Sequence, residues 1–257
     1  MSRLLIRAAI LAQGAGAGPP PPGDPASAWP LDATRTPAGY TLSEGNRTAV
    51  NTAGGSDYRR WVPSAQAIQP WHGPRYWEVL CATSGATVFD GYMGVVPVGL
   101  REAFDAGINP ITRGAIGWRG DGSLWSSNTV TAVQQRTDLP PHGAGDVLMF
   151  VLDPGTASLW LGRNGVWHGD PATDPPAWTA AASAGFHPQV QGRNPGDGGS
   201  LRSLPDAFSH PVPPGVLPLG HRHPELSIRA AEAWTEHGGG TALTLAAVAL
   251  YIERETP

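Results

Sequence analysis

The chain has 257 residues, a formal net charge of −4 and no lysine, so all of its basic residues are arginine. With 34 Gly and 27 Pro it is rich in turn formers, while ten Trp and a 40% hydrophobic content exclude a disordered chain. The negative balance and the lack of a basic block exclude nucleic acid as the main partner, and no run of about 20 apolar residues is present to span a bilayer.

Residues 1–30 read as an arm. The stretch 2–11 is patterned like a strand, a Gly-Ala stretch follows, and prolines at 19–22 form a short spacer. Arg7 interrupts the apolar run, so a cleaved signal peptide is disfavoured. Residues 31–219 read as one β domain of short strands with Gly and Pro turns. Alternation along 76–81 puts Trp77, Val79 and Cys81 on one face and Tyr76, Glu78 and Leu80 on the other. Cys81 is the sole cysteine, which excludes an internal disulfide and makes it a small buried hydrophobe.

The stretch 145–169 is the most telling. Gly145-Asp146 turns into an apolar run over 147–152, and Asp153-Pro154-Gly155 reverses the chain. A second strand covers 158–161, and Asn164-Gly165 reverses it again before Val166-Trp167. Asn-Gly suits a type I′ hairpin turn, because both residues tolerate positive φ. Further on, 170–178 and 193–200 are loop-like. Residues 220–257 read as a β tail: 226–229 alternates, and an apolar run over 241–251 follows three glycines.

Several of these segments resemble the SPRY (B30.2) family in its own order. They are Gly73-Pro74-Arg75-Tyr76-Trp77-Glu78-Val79, Tyr92-Met93-Gly94-Val95-Val96, Ile116-Gly117-Trp118 with Gly120-Asp121-Gly122, the Gly145-Asp146 strand with its Asn164-Gly165 hairpin, and Phe186-His187-Pro188-Gln189-Val190. Pro213-Pro214-Gly215-Val216-Leu217-Pro218-Leu219 is similar to the ending of phage-type members. The resemblance covers about 31–219. It implies an all-β fold, an antiparallel two-sheet sandwich of the concanavalin A-like kind, with N- and C-terminal extensions.

Chemistry-bearing patterns are sparse. No E-x-D-x-x-E run supplies the paired carboxylates of a glucanase, and Glu78 is isolated on its strand. No G-x-S-x-G elbow is present. His221-Arg222-His223 is an H-x-H pair with His187 and His210 upstream, but a solvated turn is the favoured reading, so neither metal nor cofactor is expected. Arg119-Gly120-Asp121 is read as turn chemistry. The aromatic residues offer the better lead. Trp61, Trp71, Trp118 and Trp125 lie at strand ends or in loops, beside Arg60, His72, Arg119 and Asp121. An aromatic face can stack on a sugar while fixed polar groups bond its hydroxyls. The Gly-rich segment 117–125 is expected to turn at a strand end and project Trp118, Arg119, Asp121 and Trp125 into solvent.

The resemblance and this aromatic set together give the functional expectation. It is a non-enzymatic fibre or spike component of a phage or phage-derived particle such as a gene transfer agent. Made in the bacterial cytoplasm and displayed on the particle, it would recognise a cell-surface polysaccharide. Particle structural proteins and further copies of the chain are the expected partners, joined through the arm and tail. A purely structural adaptor that holds another fibre protein is the alternative, and a glucanase-type hydrolase the second alternative.

Overall fold

A computed structural model describes residues 28–53, 59–82, 89–100, 108–127, 129, 131–180 and 183–221. The arm up to 27 and the tail from 222 lie outside the described residues, and with them the expected strands at 2–11, 226–229 and 241–251 and the pair Arg222-His223. Residues 28–220 form one compact unit.

Among the described residues it has fifteen short strands: β1 (Tyr40–Ser43), β2 (Thr48–Asn51), β3 (Val62–Pro63), β4 (Arg75–Ala82), β5 (Tyr92–Pro97), β6 (Ile116–Arg119), β7 (Leu124–Ser126), β8 (Gln134–Arg136), β9 (Val147–Asp153), β10 (Ser158–Arg163), β11 (Val166–Trp167), β12 (Trp178–Thr179), β13 (Phe186–Val190), β14 (Gly198–Arg202) and β15 (Leu217–Pro218). One sheet runs β1-β2-β14-β4-β9-β10-β11, with β12 beside β10 and β15 parallel to the start of β4. The other runs β3-β13-β5-β6-β7-β8. Among the described strands all pairings but β15 with β4 are antiparallel. This is the expected two-sheet sandwich.

Period-two alternation decides what fills the space between the sheets. From the first sheet come Trp77, Val79 and Cys81 of β4, Leu148, Phe150 and Leu152 of β9, and Leu159 and Leu161 of β10. From the second come Met93, Val95, Ile116, Trp118, Leu124, Phe186 and Val190. Trp77 stacks on Phe150, its cross-strand partner, at 5.2 Å between ring centroids. Such a pair contributes about 1 kcal/mol beyond the area it buries.

The Asn164-Gly165 turn has φ of 50° and 85°, the positive pair that a type I′ hairpin needs. Its sequence does a second job. The Asn164 side chain accepts from the Val147 N–H at 2.8 Å and donates to Asp146 Oδ1 at 2.7 Å, and Arg163 pairs with the same carboxylate at 3.2 Å. The Gly-Asp turn and the Asn-Gly turn are thus one clamp at the end of β9 and β10. At the other end, Asp153 caps its own turn, accepting from the Gly155 N–H and the Thr156 hydroxyl, each at 2.9 Å.

Each sheet carries a second apolar layer outside. On the first, Tyr76, Met149 and Val151 are covered by Trp160, Trp167, Phe208, Val212 and Val216. The strap 203–220 that brings the last three also buries Glu78 completely. That carboxylate accepts from the Tyr76 hydroxyl (2.7 Å) and from the N–H groups of Ser209 (2.7 Å) and His210 (2.8 Å), and Arg202 approaches it at 3.5 Å. On the second sheet the outer layer is Trp61, Tyr92, Val96, Ile111 and Ala115, with Leu100, Trp125 and Ala132 partly covered beside them.

Candidate functional site

The outer face of the second sheet carries most of the sequence-predicted cluster, in a different arrangement from the one expected. Strand β6 extends through Arg119, so the chain turns at Gly120–Asp121 and not at Gly117. Alternation then sends Ile116 and Trp118 inward and Gly117 and Arg119 outward. Trp118 does not project into solvent: it is 0% exposed, with its ring edge-on to His142 at 5.3 Å and to His168 at 6.0 Å. Trp61 is equally buried, its ring tilted over Tyr92 at 5.7 Å. Neither indole offers a face to a ligand.

Trp125 stands on the outward side of β7, partly exposed, paired in register with Gly117. Only glycine fits at 117, because a Cβ there would lie 2.7 Å from the Tyr92 ring. From Trp125 a chain of polar contacts runs along the rim of the sheet. The indole N–H donates to Ser123 Oγ at 2.7 Å, and the Ser123 hydroxyl donates to Asp121 Oδ1, which also takes the Ser123 N–H at 3.0 Å. Asp121 Oδ2 pairs with Arg119 at 3.1 Å, Arg119 with Asp90 at 3.1 Å, and Asp90 with Arg193 at 2.6 Å. Burial by itself would raise the Asp90 carboxyl, but hydrogen bonds from Arg193 and Arg119 outweigh it and hold it below the usual carboxylate range. The result is a rigid strip of two guanidinium and two carboxylate groups beside one accessible ring.

The remaining candidates lie elsewhere. His72 closes the turn Pro70–His72; its Nδ1 accepts from the Gln69 N–H at 3.1 Å and its ring lies edge-on to Trp29. Burial and the nearby Arg75 lower its pKa to about 4. Trp71 belongs to the same turn, and its side chain falls outside the described residues. Arg60 is half-buried and reaches toward Gly39. Asp90, Ser123 and Arg193 were not singled out from the sequence as site residues. Asp90 and Arg193 stand 103 positions apart and meet only because β5 and β13 are neighbours in the sheet.

Two other groups with chemical interest are inert. Cys81 Sγ lies 3.6 Å from His142 Nδ1, both buried. Burial pushes the thiol well up and brings the imidazole down to about 4, so the pair is neutral and no thiolate forms. His187 is buried against the Ser64 carbonyl at 2.9 Å. Among the described residues no three His, Cys, Asp or Glu side chains converge as a metal site would require.

Comparison with solved structures identifies the architecture. The SPRY domain of human HERC1 superposes with a TM-score of 0.52 at 16% identity, covering 68% of this chain and 98% of that domain. The fold is SPRY-like. The TRIM65 PSpry domain aligns with a TM-score of 0.47 at 18% identity, over 69% of this chain and 90% of its own. No protein-family model matches the chain, and no curated protein sequence matches it. At these identities the likeness extends to the SPRY-like fold and no further.

Proposed function

We propose that residues 28–220 form a non-enzymatic recognition module that engages a protein partner through the outer face of the second sheet, around Trp125, Asp121 and Arg119. The observation that carries this reading is the continuous chain Trp125–Ser123–Asp121–Arg119–Asp90–Arg193. Its members hold one another in place, so a partner meets a preorganised surface and little ordering entropy is lost on binding. The reading needs no catalytic step. The charged groups neutralise one another, and Glu78 is enclosed by its own donors instead of facing a cleft.

A protein partner is favoured over a sugar because a stacking platform requires exposed rings, and burial of Trp118 and Trp61 leaves Trp125 as the one accessible indole at this rim among the described residues. Glycan recognition stands as the second reading, supported by Trp125 with the exposed Asp121 carboxylate beside it. The setting we propose is a fibre or spike of a phage or phage-derived particle. It rests on the similarity of 213–219 to the ending of phage-type members. In that setting the chain is made in the bacterial cytoplasm and acts on the particle surface.

The test uses the full chain and its Trp125→Ala variant against purified particles from the producing strain, with host polysaccharide as a parallel ligand. Saturable binding to particle proteins, weakened about tenfold or more in the variant at unchanged fold, is the expected result. Binding to polysaccharide alone would establish the second reading. Equal binding by variant and wild type to either ligand would remove this face from both.

A further inference from the structure

The turn that clamps the end of β9 and β10 also carries the groups that can undo it. Asn164 and Gly165 are both exposed, and the Gly165 N–H makes no hydrogen bond among the described residues. A peptide nitrogen that follows asparagine can attack the side-chain carboxamide carbon, and glycine sets no Cβ in its way. Here the bond from Gly165 N to Asn164 Cγ forms and the Cγ–Nδ2 bond breaks. The Gly165 proton passes to solvent base, and the amide nitrogen takes a proton from water and leaves as ammonia. Water then opens the cyclic imide and leaves a carboxylate at 164, as aspartate or as the isomer joined through its side chain.

The clamp holds this reaction back. The carboxamide is engaged at both ends, Oδ1 by the Val147 N–H at 2.8 Å and Nδ2 by Asp146 Oδ1 at 2.7 Å. Both partners lie on the facing turn, so both bonds must be given up before Cγ can swing over the Gly165 nitrogen. Asp146 is itself fixed, with Oδ2 accepting from the Gly143 N–H at 2.7 Å and Oδ1 paired with Arg163 at 3.2 Å. Burial by itself would raise the Asp146 carboxyl, but hydrogen bonds from Gly143 and Asn164 and the Arg163 charge hold it below the usual carboxylate range. The acceptor is therefore charged at neutral pH, and a bond of that kind slows a step that must break it by about tenfold or more.

The product fits the same clamp badly. With oxygen in place of Nδ2, the 2.7 Å contact to Asp146 sets carboxylate against carboxylate, and two such groups at that distance cannot both stay ionised. Arg163 offsets only part of this, because its Nη1 is already held by the Pro141 carbonyl at 2.6 Å. We propose that Asn164-Gly165 is a deamidation site, restrained by the hydrogen bonds of Asn164 to Asp146 and Val147, and that its conversion opens the clamp and frees the Val147 end of β9. The site is separate from the Trp125 face, and its failure leaves that reading untouched.

The test incubates the full chain in mild alkali, native and in urea, and follows the chymotryptic peptide 162–167 by mass spectrometry, since Asn164 is its one amide side chain. Deamidation should be slower in the native protein than in urea by about tenfold or more, a comparison that needs no variant. Asp146→Ala should speed the native reaction by about tenfold. Asp153→Ala removes the cap of the β9–β10 turn without touching Asn164, so its rate should stay within about twofold of wild type. Asn164→Asp makes the product directly and should speed amide exchange at Val147 by about tenfold. Equal rates in native and unfolded protein would overturn the proposal. So would no acceleration in Asp146→Ala, equal acceleration in Asp153→Ala, or unchanged Val147 exchange in Asn164→Asp.

Discussion

Replacing Trp118 by alanine is the sharpest test of which way β6 faces. The indole is fully enclosed between the sheets, and truncating a buried Trp costs about 3–5 kcal/mol through lost transfer energy and the cavity left behind. One effect works the other way. The Trp118 N–H has no hydrogen-bond partner among the described residues, and deleting it relieves a desolvation cost of about 1 kcal/mol or more. The net loss should lie near the lower end, about 3 kcal/mol. For a unit of this size that lowers Tm by roughly 6–12 °C. Trp118→Phe separates the two contributions: it keeps a ring against His142 and removes the unpaired N–H, so it should cost less than about 2 kcal/mol. Trp125→Ala, at a partly exposed outer position, should cost about 1 kcal/mol. Urea unfolding followed by far-UV circular dichroism measures all three, since ten tryptophans blur a fluorescence signal. If Trp118→Ala proves no more destabilising than Trp125→Ala, the inward placement of Trp118 is wrong.

Gly165→Val should destabilise by about 1 kcal/mol or more, measured the same way, because φ is 85° there and a Cβ would meet the His210 ring at 3.1 Å. Glu78→Gln should cost about 2 kcal/mol or more and speed amide exchange at Ser209 and His210, whose N–H groups lose a charged acceptor. His142 is held neutral by burial with its pKa lowered to about 4, and His72 likewise. Unfolding restores each to about 6.5, so the unfolded chain binds more protons between those values. Their stabilisation is fully present above about pH 6.5 and should be lost as pH falls toward 4. The urea midpoint should fall across that window, and the His142 ring proton should titrate near 4; a midpoint near 6.5 would contradict its burial.

The sandwich was legible because its signals are local. Asn164 and Gly165 sit at adjacent positions and advertise their φ angles, and the face assignment of Trp77, Val79 and Cys81 needs only the period of a strand. The outer rim was read less well for a similar reason. The glycines at 117, 120 and 122 suggested an early turn, although Ile116 and Trp118 already alternate as an inward pair and Leu124 repeats the signal on β7. A two-residue period applied through Gly117 separates Trp118 from Arg119. Other features had no local signature. The donors that enclose Glu78 come from Ser209 and His210, more than a hundred residues later, and the Asp90–Arg193 pair forms only once β13 lies beside β5. Both depend on strand order, which no short motif specifies.

Hydrogen–deuterium exchange of the full chain, free and bound to particles from the producing strain, tests the central claim most directly. The account predicts protection on binding at 116–126 and 90–97, the strands that carry Trp125, Arg119 and Asp90, with exchange at 147–163 between β9 and β10 unchanged. Protection confined to β9 and β10, with 116–126 exchanging as in the free chain, would contradict it.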